Sequence, residues 1–263
     1  MNASNPVPCK LLPWDTEFFG CRLGRVCGDT LSPELVAQID DWSRSNQIHG
    51  LYFLARADAP ATIQTAEQNG FGLVDIRVTL ARELMNSDSS AGANLPAGVR
   101  VRPVQPEDLP GLQVMARTGH QDTRFFNDGH FPRQRVEEFY STWITLESQG
   151  RAQSVFVAAR GRQPLGYASC HLESGAGDGQ IGLVGVAPEA RGQGIGTGLV
   201  QTAVDWFRTQ GARKVTVVTQ GKNLAAQRLY QKCGFLGWNL QLWYHKWYPI
   251  QVKQACSENY PSE

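Results

Sequence analysis

The stretch VGVAPEARGQGIGTGLV, residues 184–200, decides how the rest of the chain is read. An apolar, strand-like run leads into it and an apolar, helix-like run leaves it. Glycine stands at 192, 194, 196 and 198, and each would cost about 1 kcal/mol relative to alanine inside a helix. Pro188 ends the strand, Glu189 to Gln193 turn the chain, and the helix opens near Gly194. A helix N-terminus presents unpaired backbone N–H groups and partial positive charge. Glycines let a phosphate reach those groups with no Cβ in the way. The loop is therefore expected to cradle a pyrophosphate. Its glycines do not follow G-x-G-x-x-G, and no lysine follows them as a Walker loop requires.

Composition narrows what surrounds this loop. The 263 residues are 41% hydrophobic and 19% charged, with a formal net charge of +1. That supports a packed core and argues against wholesale disorder. No basic field points to nucleic acid and no polybasic cluster to a membrane surface. The start, MNASNPVPCK, lacks the layout of a signal peptide, and no apolar run is long enough for a bilayer span. Six cysteines, at 9, 21, 27, 170, 233 and 256, form no C-x-x-C and no Cys/His cluster of zinc spacing. They are expected to be reduced, in a cytoplasmic protein without a metal.

Around the loop the chain falls into two parts. NSDSSAGANLPAG, residues 86–98, is small, polar and aperiodic, and reads as a linker. The expected domains are 1–85, a linker at 86–97, a main domain at 98–250 and a tail at 251–263. In the first part, GCRLGRV, GLYFLAR and LVDIRVTLAREL read as strands. SPELVAQIDDWSRSN reads as a helix with Ser32 as N-cap and Pro33 at its first position. APATIQTAEQNG reads as a second helix closed by Gly70. In the main domain GVRVRPV is strand-like, QPEDLPGLQVMART and FPRQRVEEFYSTWITLESQG are helical, and SVFVAARG, QPLGYASCHLE and GQIGLVGVAP are successive strands. After the glycine stretch and its helix come a strand, ARKVTVVTQ, a helix, NLAAQRLYQKCG, and a last strand, WNLQLWYHKWY. AEQNGFGLVDIRVTL and YQKCGFLGWNLQLWY echo each other: a helix end, Gly-Phe, then a strand.

The run R-G-Q-G-I-G, Arg191 to Gly196, following VGVAPE, resembles the R/Q-x-x-G-x-G/A loop of the GCN5-related N-acetyltransferases, and the order of elements from 98 to 248 is similar to that family's. NLAAQRLYQKCGF is similar to the family's N-x-x-A-x-x-x-Y-x-x-x-G-F helix. At 3.6 residues per turn, Asn223, Ala226 and Tyr230 share a narrow face. The resemblance implies an α/β (α+β) fold: a mixed, mostly antiparallel sheet with helices on both faces, preceded by a smaller α/β unit that reads as a truncated copy of the same pattern. It implies acetyl-CoA as cosubstrate, held by Val184, Val186, Arg191, Gly192, Gln193, Gly194, Ile195, Gly196, Asn223 and Ala226, with no metal. It implies Tyr230 as the proton donor to the departing thiolate; a phenol near pKa 10 is protonated at neutral pH. Backbone amides around Val184 would polarise the thioester carbonyl, and Gly185 would mark a bulge that splays the sheet. For the base, His120, Asp122, Asp128, His130, His171 and Glu173 stay open.

LPWDTEFFG, residues 12–20, and HQDTRFF, residues 120–126, resemble the bacterial TDP-fucosamine acetyltransferase group. That likeness implies a nucleotide-linked 4-aminodideoxy sugar as acceptor, acetylated by direct attack. Arg124 is then expected at the diphosphate, with Phe125 or Phe126 against the base or sugar. Other expectations stay open: a peptide α-amine, an amino acid or a polyamine as acceptor, or a non-catalytic acyl-CoA-binding regulator. No nucleic acid or membrane partner is expected, and homodimerisation is open.

Overall fold

Local sequence signals mark six helices, and the described residues hold two more that those signals miss, Pro13–Phe19 and Arg124–Asn127. The computed structural model describes residues 7–84, 94–173 and 177–249. Most of the expected linker, the expected tail and Cys256 lie outside the described residues. The elements begin with β1 (Cys9–Leu11), α1 (Pro13–Phe19), β2 (Leu23–Val26), α2 (Pro33–Ser45), β3 (Gly50–Arg56), α3 (Pro60–Gln68) and β4 (Gly72–Glu83). Then come β5 (Val99–Pro103), α4 (Leu109–Gly119), α5 (Arg124–Asn127), α6 (Arg133–Leu146), β6 (Ser154–Arg160), β7 (Gln163–Leu172) and β8 (Asp178–Val186). Last are α7 (Ile195–Thr209), β9 (Lys214–Gln220), α8 (Leu224–Lys232) and β10 (Leu236–Trp247). No described helix is long and apolar enough to cross a membrane.

Capping chemistry sets several boundaries. Ser32 Oγ accepts the Leu35 N–H at 3.2 Å, with Pro33 opening α2. The helix expected from Gln105 starts as a 3₁₀ turn, Pro106–Asp108, where the Asp108 carboxylate accepts the Gln105 N–H. The helix of 133–151 ends as a π turn, Glu147–Arg151, with Gly150 at φ 108°. The two echoing stretches share one geometry. Gly70 and Gly234 are left-handed, at φ 77° and 83°. Phe71 and Phe235 are buried and donate N–H to Ala66 O and Tyr230 O, both at 3.0 Å. A glycine cap followed by a core phenylalanine thus launches both β4 and β10.

The chain divides into two compact units. One takes in the chain up to Arg77, Thr123–Arg135 and the chain from Leu240; the other takes in Val78–Asp122 and Val136–Asn239. Both the 123–135 segment and most of β10 thus group with the N-terminal residues.

In the first unit the strand order is β1-β2-β3-β10-β4. β2 and β3 are parallel, with α2 as the crossover, and β10 runs antiparallel to β3, His245 opposite Tyr52. Leu51, Phe53, Ala55 and Tyr244 bury one face of this sheet in a core with Val36 and Ile39 of α2 and Ala66 of α3. Because side chains alternate along strands, Arg25, Tyr52, Trp243 and His245 project from the other face.

In the second unit β9-β8-β7-β6-β5 follow in order, with the rest of β4 beside β9. The pairs β5–β6, β6–β7 and β7–β8 are antiparallel and β8–β9 is parallel. α7 packs on one face: a Cβ at Gly166 would meet Leu199 and Ile195, and one at Gly179 would meet Phe207. Tyr167, the next residue of β7, meets His120 from beyond α4 on the other face. Helices therefore cover both faces, as expected.

Candidate functional site

The glycine loop has the geometry its composition asks for. Gly192 and Gly194 adopt φ 75° and 81°, the left-handed region that favours glycine. Gly194 is the N-cap of α7. The first backbone N–H of that helix to find an acceptor is Gly198, on Gly194 O at 3.0 Å. Among the described residues the N–H groups of 192 to 197 have none. Arg191, Gly192 and Gln193 are exposed. Arg191 Nε donates to Val186 O at 3.3 Å and Gln193 Nε2 to Glu189 O at 2.9 Å, which holds the loop closed on itself. Ile195 is buried, and its side chain reaches to within 3.3 Å of a Cβ built at Gly166. Gly196 serves another purpose: its missing Cβ would lie 3.0 Å from Leu229 of α8, so it permits close α7–α8 packing.

Beside the loop the sheet opens. The parallel β8–β9 ladder runs from Asp178/Lys214 to Ile181/Val217 and goes no further, although β8 continues to Val186 and β9 to Gln220. Val184 and Val186, both half-buried, lie on the part of β8 beyond that point. The irregularity expected at Gly185 sits elsewhere. The β7–β8 register shifts between Ala168↔Val184 and Cys170↔Ile181, where Ser169 Oγ takes the Leu183 N–H at 2.8 Å. Gly185 is needed for a different reason, since a Cβ there would fall 2.6 Å from the Tyr167 ring.

α8 carries the other predicted cosubstrate residues. Asn223 caps it, its side-chain oxygen accepting the Ala226 N–H at 3.1 Å. Ala226 is half-buried one turn on. Tyr230 is 5% exposed and packs against Phe235, ring centroids 6.1 Å apart. Burial raises its phenol pKa, with Cys233 adding to the rise. Nearby, at the C-terminal end of α8, lies an open cleft of about 720 Å³ bordered by Arg82, Gln201, Lys232 and Trp238. It contains none of the predicted residues.

Reading the sequence residue by residue names His120 and His171 as candidate bases but misses the polar row on β7 that carries His171 and meets His120. Tyr167 Oη lies 2.8 Å from His120 Nε2, and the His120 ring stacks on Tyr140 at 4.8 Å. Burial pushes the His120 pKa down to about 4, so the imidazole is neutral at pH 7. Two residues along, Ser169 is buried; two further, His171 Nε2 lies 2.6 Å from buried Glu147. Trp143 Nε1 also donates to Glu147, at 2.9 Å. Burial raises the Glu147 pKa, but His171, Trp143 and Ser169 outweigh it and hold the carboxylate ionised. The Tyr167/Ser169/His171 alternation in QPLGYASCHLE is the signal that could have found it.

The residues expected at the acceptor sit in the first unit. Phe125 is 1% exposed, packed among Phe19, Tyr52 and Phe131, and is a core ring. Phe126 and Arg124 are half-buried. The Arg124 guanidinium carbon lies 4.2 Å from the Phe125 ring centre and 4.3 Å from that of Trp243. Asp128 and His130, two of the candidate bases, are committed elsewhere. The buried Asp128 carboxylate meets His245 Nδ1 at 2.6 Å, His130 Nδ1 at 2.7 Å and Trp247 Nε1 at 2.8 Å. Burial raises its pKa, and His245 and His130 more than reverse the rise. His245 is pushed down to about 4 by burial, against the pull of Asp128. Asp122 lies 3.8 Å from Lys222 Nζ. Cys9, Cys27, Cys170 and Cys233 are free thiols. Among the described residues no group of three or more His, Cys, Asp or Glu side chains is arranged to hold a metal ion.

Known proteins resemble this chain in sequence and in fold. The model of the acetyltransferase (GNAT) family matches residues 119–235. A dTDP-fucosamine acetyltransferase of Escherichia coli O6:H1 is 29% identical over 237 residues, 87% of this chain and 94% of that one. The spore coat polysaccharide biosynthesis protein SpsD of Bacillus subtilis is 30% identical over 147 residues, 55% of this chain. The chain spans only 50% of the length of that relative. A GCN5-related N-acetyltransferase from Sphaerobacter thermophilus shares the fold, with a TM-score of 0.65 at 18% identity over 91% of this chain and 76% of that one.

Proposed function

We propose that this chain, whose residues 119–235 match the acetyltransferase (GNAT) family model, is an acyltransferase that acetylates the 4-amino group of a nucleotide-linked aminodideoxy sugar. GNAT acetyltransferases use acetyl-CoA. The observation that carries the cosubstrate is the run of unbonded N–H groups from 192 to 197, a donor set suited to a pyrophosphate. Arg191 to Gly196 would hold that group, Asn223 and Ala226 would flank the pantetheine arm, and the β8 edge at Val184 and Val186 would supply amides to the thioester oxygen. Acetyl-CoA brings a thioester activated for attack. The amine nitrogen forms the new C–N bond, the C–S bond breaks, and the thiolate takes a proton from Tyr230. Burial keeps that phenol protonated through the neutral range. His120, held neutral, suits the proton the amine gives up.

The acceptor rests on two supports. One is likeness to the dTDP-fucosamine acetyltransferase along 94% of its length. The other is Arg124, which has a buried Nε without a partner and is suited to a phosphate oxygen. Binding energy from the nucleotide would orient the sugar amine. The test is kcat/KM for a dTDP-linked 4-amino-4,6-dideoxy sugar and for the free aminosugar, side by side. The free sugar is expected to be far poorer in kcat as well as KM. Equal values would remove the nucleotide and favour a small amine or peptide acceptor.

A further inference from the structure

We infer that Arg25, Arg77 and Arg124, gathered around Trp243 in the first unit, form a binding site for a diphosphate. The ligand class rests on the nucleotide-sugar reading; the residues do not. Arg25 and Arg77 come from β2 and β4, Arg124 from α5. Register places Arg25 opposite Tyr52 and Tyr52 opposite His245, so Arg25 shares a sheet face with Trp243 and Gln241, two and four residues before His245. The Arg25 guanidinium carbon lies 5.3 Å from the Trp243 ring centre, and that of Arg124 lies 4.3 Å from it. Arg77 donates from Nη1 to Gln241 at 2.7 Å. The three cations feel one another: burial lowers the pKa of Arg25, and Arg124 lowers it further. Arg77 is lowered by burial, then by Arg25 and Arg124.

Arg44, Arg56, Arg102 and Arg208 each hold a carboxylate at 2.7–2.9 Å. None of the three clustered arginines has one within 4.0 Å among the described residues. Half-burial sets these three apart from arginines such as Arg100, Arg160 and Arg191, which also have no carboxylate partner among the described residues but are exposed. Asp128, which acts with Arg124 on Tyr52 and His245, already accepts from His245, His130 and Trp247. Arg124 Nε and Tyr52 Oη are buried and have no partner. The face therefore concentrates three half-buried like charges and leaves donors idle. Like charges at close range in a partly desolvated site repel, and guanidinium forks match phosphate oxygens two at a time. A diphosphate ester supplies both the charge and the acceptors. Stacking on Trp243 fixes two of the forks in advance of binding.

The measurement is calorimetric titration of the full chain, saturated with coenzyme A so that the glycine loop is filled, with dTDP, pyrophosphate and thymidine. dTDP and pyrophosphate are expected to bind, and thymidine at least about ten-fold more weakly. Arg25→Gln and Arg77→Gln are each expected to raise the dTDP Kd about ten-fold or more, the scale of a lost hydrogen bond between charged groups. Thermal unfolding checks that these variants fold. If either does not, Arg25→Lys and Arg77→Lys decide, since they keep the charge and lose the fork; an unchanged Kd in both overturns the site. dTDP binding that is indifferent to both Gln changes also overturns it and leaves the nucleotide-sugar reading standing. Pyrophosphate binding that depends on the arginines, with no added affinity for dTDP or its sugar, supports the site and removes that reading. No binding of any phosphate overturns the site.

Discussion

The loop 191–196 and the arginine face around Trp243 both offer positive charge, and they make it from different parts of the polypeptide. In the loop the donors are main-chain N–H groups of consecutive residues, and the side chains stay out of the way. On the arginine face the donors are three guanidiniums brought from three segments of chain. The first is robust to side-chain change and fragile to a change of backbone conformation. The second depends on individual side chains and tolerates backbone variation between them. Substitutions should therefore separate the two regions by what they destroy.

The largest effect is expected at neither donor set but on α8. Tyr230→Phe removes one hydroxyl and keeps the ring against Phe235. If the phenol supplies the proton, kcat falls about 10²–10⁴-fold, while acetyl-CoA affinity and thermal stability hold. Steady-state kinetics with calorimetry of the cosubstrate decide it. Wild-type turnover would hand the proton transfer to solvent.

Next in size is a backbone test of the loop. Gly194→Val places a β-branched residue at φ 81° with its Cβ 3.0 Å from Asn94 O. Left-handed geometry costs such a residue about 1–2 kcal/mol, and the loop should reshape to avoid it. The acetyl-CoA Kd is expected to rise by one to two orders of magnitude, about 1.4 kcal/mol for each. Gly28→Val is the control: it carries the same strain at φ 84° with open space around it. That variant should lose stability and keep its affinity for acetyl-CoA. Equal affinity losses in the two would mean that general destabilisation, and not the cradle, is being measured.

The contrast between the regions also explains what is legible before the fold is known. Ser32-Pro33, the glycine loop, Asn223 and the Gly-Phe pairs act within a few residues of themselves, so their chemistry can be read as spacing. Arg25 and Arg77 are unremarkable in GCRLGRV and LVDIRVTLAREL. Only the pairing of β3 with β10, far along the chain, puts Trp243 beside them, and no local period encodes that register. The same long-range pairing groups the end of β10 with the N-terminal residues, against the linear division expected from composition. Phe125 shows the converse. A polar, aromatic segment reads as binding material, and the ring turns out to be core. Gly185 is legible as special and not as to why, because its reason is a tyrosine on the neighbouring strand.

A smaller effect, on stability, comes from one imidazole in each unit, His245 buried and His120 half-buried. His120 and His245 titrate at about 4 in the folded chain, below the ordinary value near 6.5. Between those pH values the unfolded chain binds more protons than the folded one, so stability falls as pH falls from about 6.5 toward 4. For each histidine, every full pH unit crossed in that window costs about 1.4 kcal/mol. Urea unfolding at pH 7.5, 6 and 5 should show the decline. His120→Gln and His245→Gln should each flatten it, whatever they do to stability at pH 7.5. A slope unchanged in both variants would place the titrating groups elsewhere.

The smallest expected change separates capping from binding. Ser32 and Asn223 cap α2 and α8 in the same way, at 3.2 and 3.1 Å, and loss of either cap should cost about 1 kcal/mol. Ser32→Ala is expected to lower stability by that amount and leave acetyl-CoA affinity untouched. Asn223→Ala should lose the same stability and also weaken acetyl-CoA, because its amide donor is free to face the cosubstrate while its oxygen caps the helix. Asn223→Asp resolves the two roles. Its carboxylate can still accept the Ala226 N–H, and it suits the positive end of the helix, so stability should return. It offers no donor and adds negative charge, so affinity should not return. Recovery of both together would make Asn223 a cap and nothing more, and the cosubstrate contact on α8 would fall to Ala226 and Tyr230.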